Sequence, residues 1–177
     1  MNKDLKVILL SGKGAKAIPT DSRSVFSNSI EWLISAFNLN GFDDINIVGG
    51  KDIEKLGLEN PKVKFIFNPI WNKSGPLHSL FLAKDVLLSH DCLISYSDVV
   101  YRPELVQELV SFDNDISIVT DIDWKDRYPD RSQKSLVMAE KVWLNKNDEV
   151  IKISRGPSGI KSSSGEFTGL IYLKKGV

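Results

Sequence analysis

A layered α/β domain is what this sequence predicts. Short apolar runs of strand length alternate with stretches of helical period. The first apolar run breaks into a turn carrying Gly12 and Gly14, as a strand does when it hands over to a tight loop. The chain has 177 residues, 42% apolar and 26% charged, which is the balance of an ordinary globular domain long enough to bury a core.

Taken in order, Leu5 to Ser11 reads as a buried strand, and Gly12 to Ser27 as a polar loop containing Pro19. A helix starts near Asn28, where Glu31 three residues on completes a capping box. Its apolar positions Ile30, Leu33, Ile34 and Phe37 keep one helical face, and Asn40-Gly41 suits a left-handed C-cap. Ile45 to Val48 is a second strand, followed by Gly49-Gly50 and a short helix to about Leu56. Val63 to Phe67 is a third strand, and the polar loop Asn68 to Gly75 leads into a helix through Leu77, Leu80, Ala83 and Leu87. Cys92 to Tyr96 is a fourth strand that ends in Ser97-Asp98. Pro103 sits in the first turn of the next helix, where its missing N–H costs nothing. Ile116 to Val119, Val137 to Leu144, Val150 to Ile153 and Phe167 to Leu173 read as later strands, partly antiparallel, with a Gly- and Ser-rich loop over 155–165. No repeat or linker interrupts the chain, so a single domain over 1–177 is expected.

Several function classes are excluded at this stage. Lys+Arg and Asp+Glu both number 23, so no basic footprint for nucleic acid or an anionic membrane exists. No run approaches the ~18 apolar residues of a membrane span. The polar N-terminus runs straight into a strand rather than a signal sequence. The single cysteine, Cys92, cannot form an internal disulfide and sits in an apolar run, as a packing residue does. A cytoplasmic location is the expectation; the oligomeric state is not legible.

Three readings compete for the turn after the first strand. A P-loop needs four residues between its glycine and Gly-Lys, and a Ser/Thr after the lysine; neither is present. Gly12, Gly14 and Ala17 satisfy the dinucleotide fingerprint, but Ile18-Pro19-Thr20-Asp21 interrupts the helix that motif must open. The third reading is a triphosphate loop, whose backbone N–H groups face phosphate with Lys13 and Lys16 alongside. A plain structural turn with incidental lysines remains the alternative.

Leu9-Leu10-Ser11-Gly12-Lys13-Gly14-Ala15-Lys16 resembles the L-A-A-G-x-G-x-R/K signature of the nucleotidyltransferases. Asn68-Pro69-Ile70-Trp71 and Ser74 to Leu80 stand where those enzymes place a base- and ribose-contacting turn. Ser95-Tyr96-Ser97-Asp98-Val99 resembles the strand whose terminal Asp binds the catalytic metal. Glu140-Lys141-Val142 and Gly165 to Leu170 resemble the acceptor-side strands. The order and spacing are most similar to the phosphocholine and phosphonate cytidylyltransferases, within the sugar-phosphate nucleotidyltransferase superfamily. That resemblance implies a Rossmann-like three-layer sandwich with a mixed, mostly parallel sheet, of the nucleotide-diphospho-sugar transferase type.

The activity it implies is Mg²⁺-dependent transfer of a nucleotidyl group, CMP from CTP, to a small phosphate or phosphonate acceptor such as phosphocholine, aminoethylphosphonate or a sugar phosphate, with release of pyrophosphate. No general base is needed, because such an acceptor is already an anion near neutral pH. The implied catalytic residues are Lys16, Arg23, Asp98 and Lys141, with Asp98 as the Mg²⁺ ligand. Leu10, Ser11, Gly12, Gly14 and Ser79 would bind the nucleotide; Glu166, Asp123 and Tyr101 would meet a cationic acceptor. Two departures stand out. The family's lysine in P-K-x-L has no counterpart in Asp21-Ser22-Arg23-Ser24, where Arg23 is the available cation. The sequence stops at Gly176-Val177 without the later metal-binding acid, so the family's C-terminal segment is expected to be missing. Two other function classes stay open: a non-catalytic nucleotide-binding relic, and a glycosyltransferase suggested by Asp121-Ile122-Asp123.

Overall fold

The computed structural model describes residues 4–12, 28–50, 53, 61–127, 129–158, 160 and 162–177. The elements in chain order are β1 (Lys6–Ser11), α1 (Ser29–Leu39), β2 (Ile45–Gly49), β3 (Val63–Phe67), α2 (Pro76–Leu82), α3 (Lys84–Ser89), β4 (Cys92–Tyr96), α4 (Pro103–Ser111), β5 (Ile116–Asp121), α5 (Trp124–Arg127), α6 (Gln133–Met138), β6 (Lys141–Leu144), β7 (Val150–Ser154) and β8 (Gly165–Leu173). Contacts divide the chain into two compact units, 1–117 with 169–177, and 118–168.

In the first unit β1 pairs in parallel with β2 on one side and β4 on the other, and β2 pairs in parallel with β3. The last part of β8 runs antiparallel to β4, with Cys92 opposite Leu173 and Ser95 opposite Leu170. The sheet here is therefore mixed and mostly parallel. Its central strands are apolar on both faces, as a parallel sheet covered by helices on both sides requires. Ile8, Leu10, Val48, Cys92 and Ile94 form one face with Ala83, and Leu80, Val86 and Leu87 of the second helical stretch pack on it. The other face carries Leu9 and its partner Ser95. The Tyr101 hydroxyl donates to the Ser95 hydroxyl at 2.5 Å, and the Tyr101 ring meets Phe37 of α1 edge-on at 6.2 Å. This is the three-layer α/β arrangement.

Local chemistry explains most of the element ends. Asn28 caps α1 through its Oδ1, which accepts from the Glu31 N–H at 3.0 Å, while its Nδ2 donates to the Glu31 carboxylate. Gly41 follows α1 with φ of 76°, the left-handed conformation read from Asn40-Gly41. Asn40 also donates to the carbonyls of Ala36 and Pro103, tying α1 to the start of α4.

Two elements differ from expectation. The single helix read through Leu77 to Leu87 is two, α2 and α3, breaking at Ala83, which is fully packed into the core. Val137 does not open a strand: Leu136-Val137-Met138 closes the short helix α6, and the strand begins at Lys141. In the second unit β6 pairs antiparallel with β7 and with the start of β8. The loop over 13–27 and the helix expected to end near Leu56 lie outside the described residues.

Candidate functional site

In the first unit the parallel strands all end on the same edge, and a cavity of about 420 Å³ opens there. Its lining follows the strand order: Leu10 and Gly12 come from the end of β1, Trp71, Ser74 and Gly75 from the loop after β3, and Tyr96, Ser97 and Asp98 from the end of β4. Pro76 and Ser79 of α2 complete it. The chain runs β1, β2, β3 toward one side of β1, then returns to place β4 on the other side. The cavity thus sits at the point where strand order reverses, where open α/β sheets bind ligands. Gly12 and Asp98, paired by sequence reasoning, share this cavity because β1 and β4 are neighbours.

Each wall has a physical basis. A Cβ at Gly12 would meet nothing within 4 Å, so a side chain there would extend into open space beside the cavity. Ser11 is fully buried and its hydroxyl has no hydrogen-bond partner among the described residues. The Ser97 N–H donates to the Leu10 carbonyl at 3.2 Å, which binds the end of β4 to the end of β1. The Ser97 carbonyl accepts from the buried Ser29 hydroxyl at 2.5 Å, fixing the segment that presents Asp98. Asp98 itself is exposed. Gly169, with φ of 89°, lets β8 pass Tyr96 closely: a Cβ there would fall 2.5 Å from the Tyr96 ring. Gly50 does the same for Trp71, whose ring occupies the space of the missing side chain.

The loop after β3 is organised by Asn68, which is fully buried. Its N–H donates to the Gly49 carbonyl at 2.7 Å, its Oδ1 accepts from the Ile70 N–H at 3.0 Å, and its Nδ2 donates to the hydroxyls of Ser74 and Ser79, both at 3.0 Å. Sequence reasoning placed Ser79 at the nucleotide and quoted Asn68 only as part of a turn. Its signal was available: an Asn followed by Pro and then a serine-bearing loop suits an Asx turn.

The second unit holds the residues expected at an acceptor. Both Glu166 oxygens accept from Arg131, at 2.6 and 2.7 Å. Asp123 is exposed, and Asp121 beside it accepts from Arg127 at 2.7 and 3.1 Å, so the D-x-D turn carries an ion pair. Lys141, a catalytic residue by the resemblance, is fully buried, and its ammonium donates to the carbonyls of Leu136, Val137 and Ala139 at the end of α6. Burial holds its pKa below the usual lysine value, against the attraction of Glu166. Tyr101, in the first unit, is likewise a core residue, because burial and the Ser95 hydrogen bond commit its hydroxyl; burial also pushes its pKa well up. Lys16, Arg23 and Gly14 lie outside the described residues.

Among the described residues no cluster of three or more His, Cys, Asp or Glu side chains could hold a metal unaided. A single carboxylate at the rim is the donor set that Mg²⁺ uses when phosphate oxygens supply further ligands, so Asp98 fits that ion and would not fit a protein-only metal centre.

Comparison with known proteins agrees with the fold. No protein-family profile matches the chain. A CTP:phosphoglutamine cytidylyltransferase of Campylobacter jejuni is 27% identical over 179 residues, covering 93% of this chain and 70% of that enzyme. Among solved structures, the inositol-1-phosphate CTP transferase from T. maritima superposes with a TM-score of 0.68 at 19% identity, over 97% of this chain and 70% of that one. A CMP:2-keto-3-deoxy-manno-octonic acid synthetase solved with CTP gives 0.63 at 13% identity, over 97% and 74%. The resemblance to the sugar-phosphate nucleotidyltransferases seen in the sequence is thus repeated in the whole fold. No helix of the described residues is long and apolar enough to cross a membrane.

Proposed function

We propose that this protein is a nucleotidyltransferase that moves CMP from CTP to a small phosphorylated or phosphonylated acceptor. The observation that carries the reading is the convergence of Gly12 and Asp98 on one cavity at the switch point of the parallel sheet. The similarity to cytidylyl-transferring enzymes supports it independently.

In this reading an acceptor phosphate oxygen forms a bond to the α-phosphorus of CTP. The bond from that phosphorus to the bridging oxygen breaks, and its electron pair leaves with pyrophosphate. No proton moves, since the acceptor is already ionised. The residues have to hold two anions together and in line. Gly12 leaves the end of β1 open for the triphosphate to lie against backbone. The Ser29 and Leu10 hydrogen bonds hold the segment carrying Asp98. Asp98 would hold Mg²⁺, which when bound offsets the triphosphate charge. Lys16 and Arg23 are the candidate pyrophosphate contacts.

Pyrophosphate release tests this, with each of the four nucleoside triphosphates offered alongside phosphocholine, aminoethylphosphonate or a sugar 1-phosphate. CTP with Mg²⁺ and one of these acceptors should turn over. Asp98→Ala should cost about 10²–10³ in rate while the thermal midpoint stays put. An unchanged rate in that variant, or no pyrophosphate from any combination, overturns the proposal.

A further inference from the structure

The helical stretch of α2 and α3 is apolar on two opposite sides, and the sheet accounts for one of them. Leu80, Ala83, Val86 and Leu87 pack onto the face formed by Ile8, Leu10, Val48, Cys92 and Ile94. On the other side Leu77, Phe81 and Leu88 are 65%, 62% and 70% exposed, and Lys84 is exposed between them. The positions 77, 81, 84 and 88 follow the alternating four- and three-residue spacing of a seam between packed helices. The break at Ala83 keeps this phase: Ser79 and Ala83 are buried, Val86 and Leu87 are half-buried, and every seam position before and after the break faces outward. An apolar side chain exposed singly is ordinary, but three in one line form a patch.

The patch is complementary to itself. Two copies laid antiparallel about a two-fold axis midway between residues 82 and 83 set Leu77 opposite the partner's Leu88 and Phe81 opposite the partner's Lys84, each contact occurring twice. The lysine stem then covers the ring, with its ammonium over the π face. His78 and Asp85 share one flank of the seam, and the same axis brings His78 beside the partner's Asp85. Among the described residues His78, Lys84 and Asp85 have no ion-pair partner within the chain. A parallel arrangement would instead set Lys84 against Lys84 and Asp85 against Asp85, which like charges oppose. We propose that the outward seam of α2 and α3 is an interface between two copies of this chain, packed antiparallel through Leu77, Phe81 and Leu88. The proposal stands apart from the cytidylyl-transfer reading, since none of these three residues lines the cavity.

One helix seam per copy is smaller than the ~800 Å² per partner of a standard interface, so the expected dimer is concentration-dependent. Sedimentation velocity of the full chain from about 1 to 500 µM should show the mean mass rising from one copy toward two. Phe81→Glu and Leu88→Glu each put charge into the seam twice, and each should weaken the dissociation constant about tenfold or more. Both positions are exposed in the single chain, so the thermal midpoint at low concentration should not move. His78→Glu sets acids side by side and should weaken association about threefold; adding Asp85→Lys should restore it. The two positions are seven residues apart on one helical stretch, too far to pair internally, so recovery reports the antiparallel contact between copies. A single copy at every concentration overturns the proposal, whether the patch stays bare or takes another partner. So does a dimer that Phe81→Glu and Leu88→Glu leave intact, or a loss in His78→Glu that Asp85→Lys fails to reverse.

Discussion

At the scale of single residues the molecule separates groups that are enclosed from groups left facing the cavity. Cys92 belongs to the first kind. Burial, with the Asp91 charge adding to it, pushes its thiol pKa up to about 12. The thiolate is the reactive form, so the native protein should resist alkylation by iodoacetamide at pH 8 and react only when denatured. Rapid labelling of the native chain would contradict that. The sign of the stability effect follows: a raised pKa favours the protonated thiol in the fold, so this contribution is intact below about pH 9 and is lost as pH climbs toward 12. Gly12 belongs to the second kind. Its φ is not positive and a Cβ would meet open space, so Gly12→Val should leave the thermal midpoint within a degree or two. The same substitution should weaken CTP binding about tenfold or more, read by calorimetry, because the valine side chain takes space the triphosphate would use.

At the scale of elements, sequence periodicity carried far where a segment was long or ended in a distinctive residue. β1, β3 and β4, the capping box of α1 and Pro103 at the start of α4 were all legible. Short elements were not. The six residues of α6 complete fewer than two turns, too few for a helical period to separate Leu136-Val137-Met138 from the apolar strand after Lys141. The side toward which Lys141 points was illegible for a related reason: alternation in a strand offers two faces, and only the fold decides between them. Its ammonium closes the C-terminal end of α6 by donating to three carbonyls, of which that of Val137 also accepts from the Gly156 N–H at 2.9 Å. Lys141→Met should therefore lower stability by about 1–3 kcal/mol in urea unfolding, because the end of α6 loses the buried donor that its carbonyls share. Unaltered stability with abolished turnover would instead return Lys141 to the acceptor phosphate, the role its sequence neighbourhood suggested.

At the scale of the whole molecule, the candidate site was readable in outline because strand topology brings distant sequence ends together. Ser11-Gly12 and Ser97-Asp98 are far apart in the chain, yet each closes a strand, and those strands pair directly. Asn68 was not readable, since its partners are set by how a loop folds back on itself rather than by any period. One consequence is that a bound nucleotide should protect a discontinuous set of segments. Ligand at about 100 times its Kd adds about 2.7 kcal/mol to the folded state. Hydrogen exchange should slow most at the end of β1, in 68–79 and in 95–98, where the cavity wall is built, when CTP and Mg²⁺ are added. None of the described residues that line the cavity belongs to β6 or β7, and that hairpin should exchange at an unchanged rate. Slowing confined to the hairpin, with the ends of β1 and β4 unaffected, would mean that nucleotide does not enter this cavity.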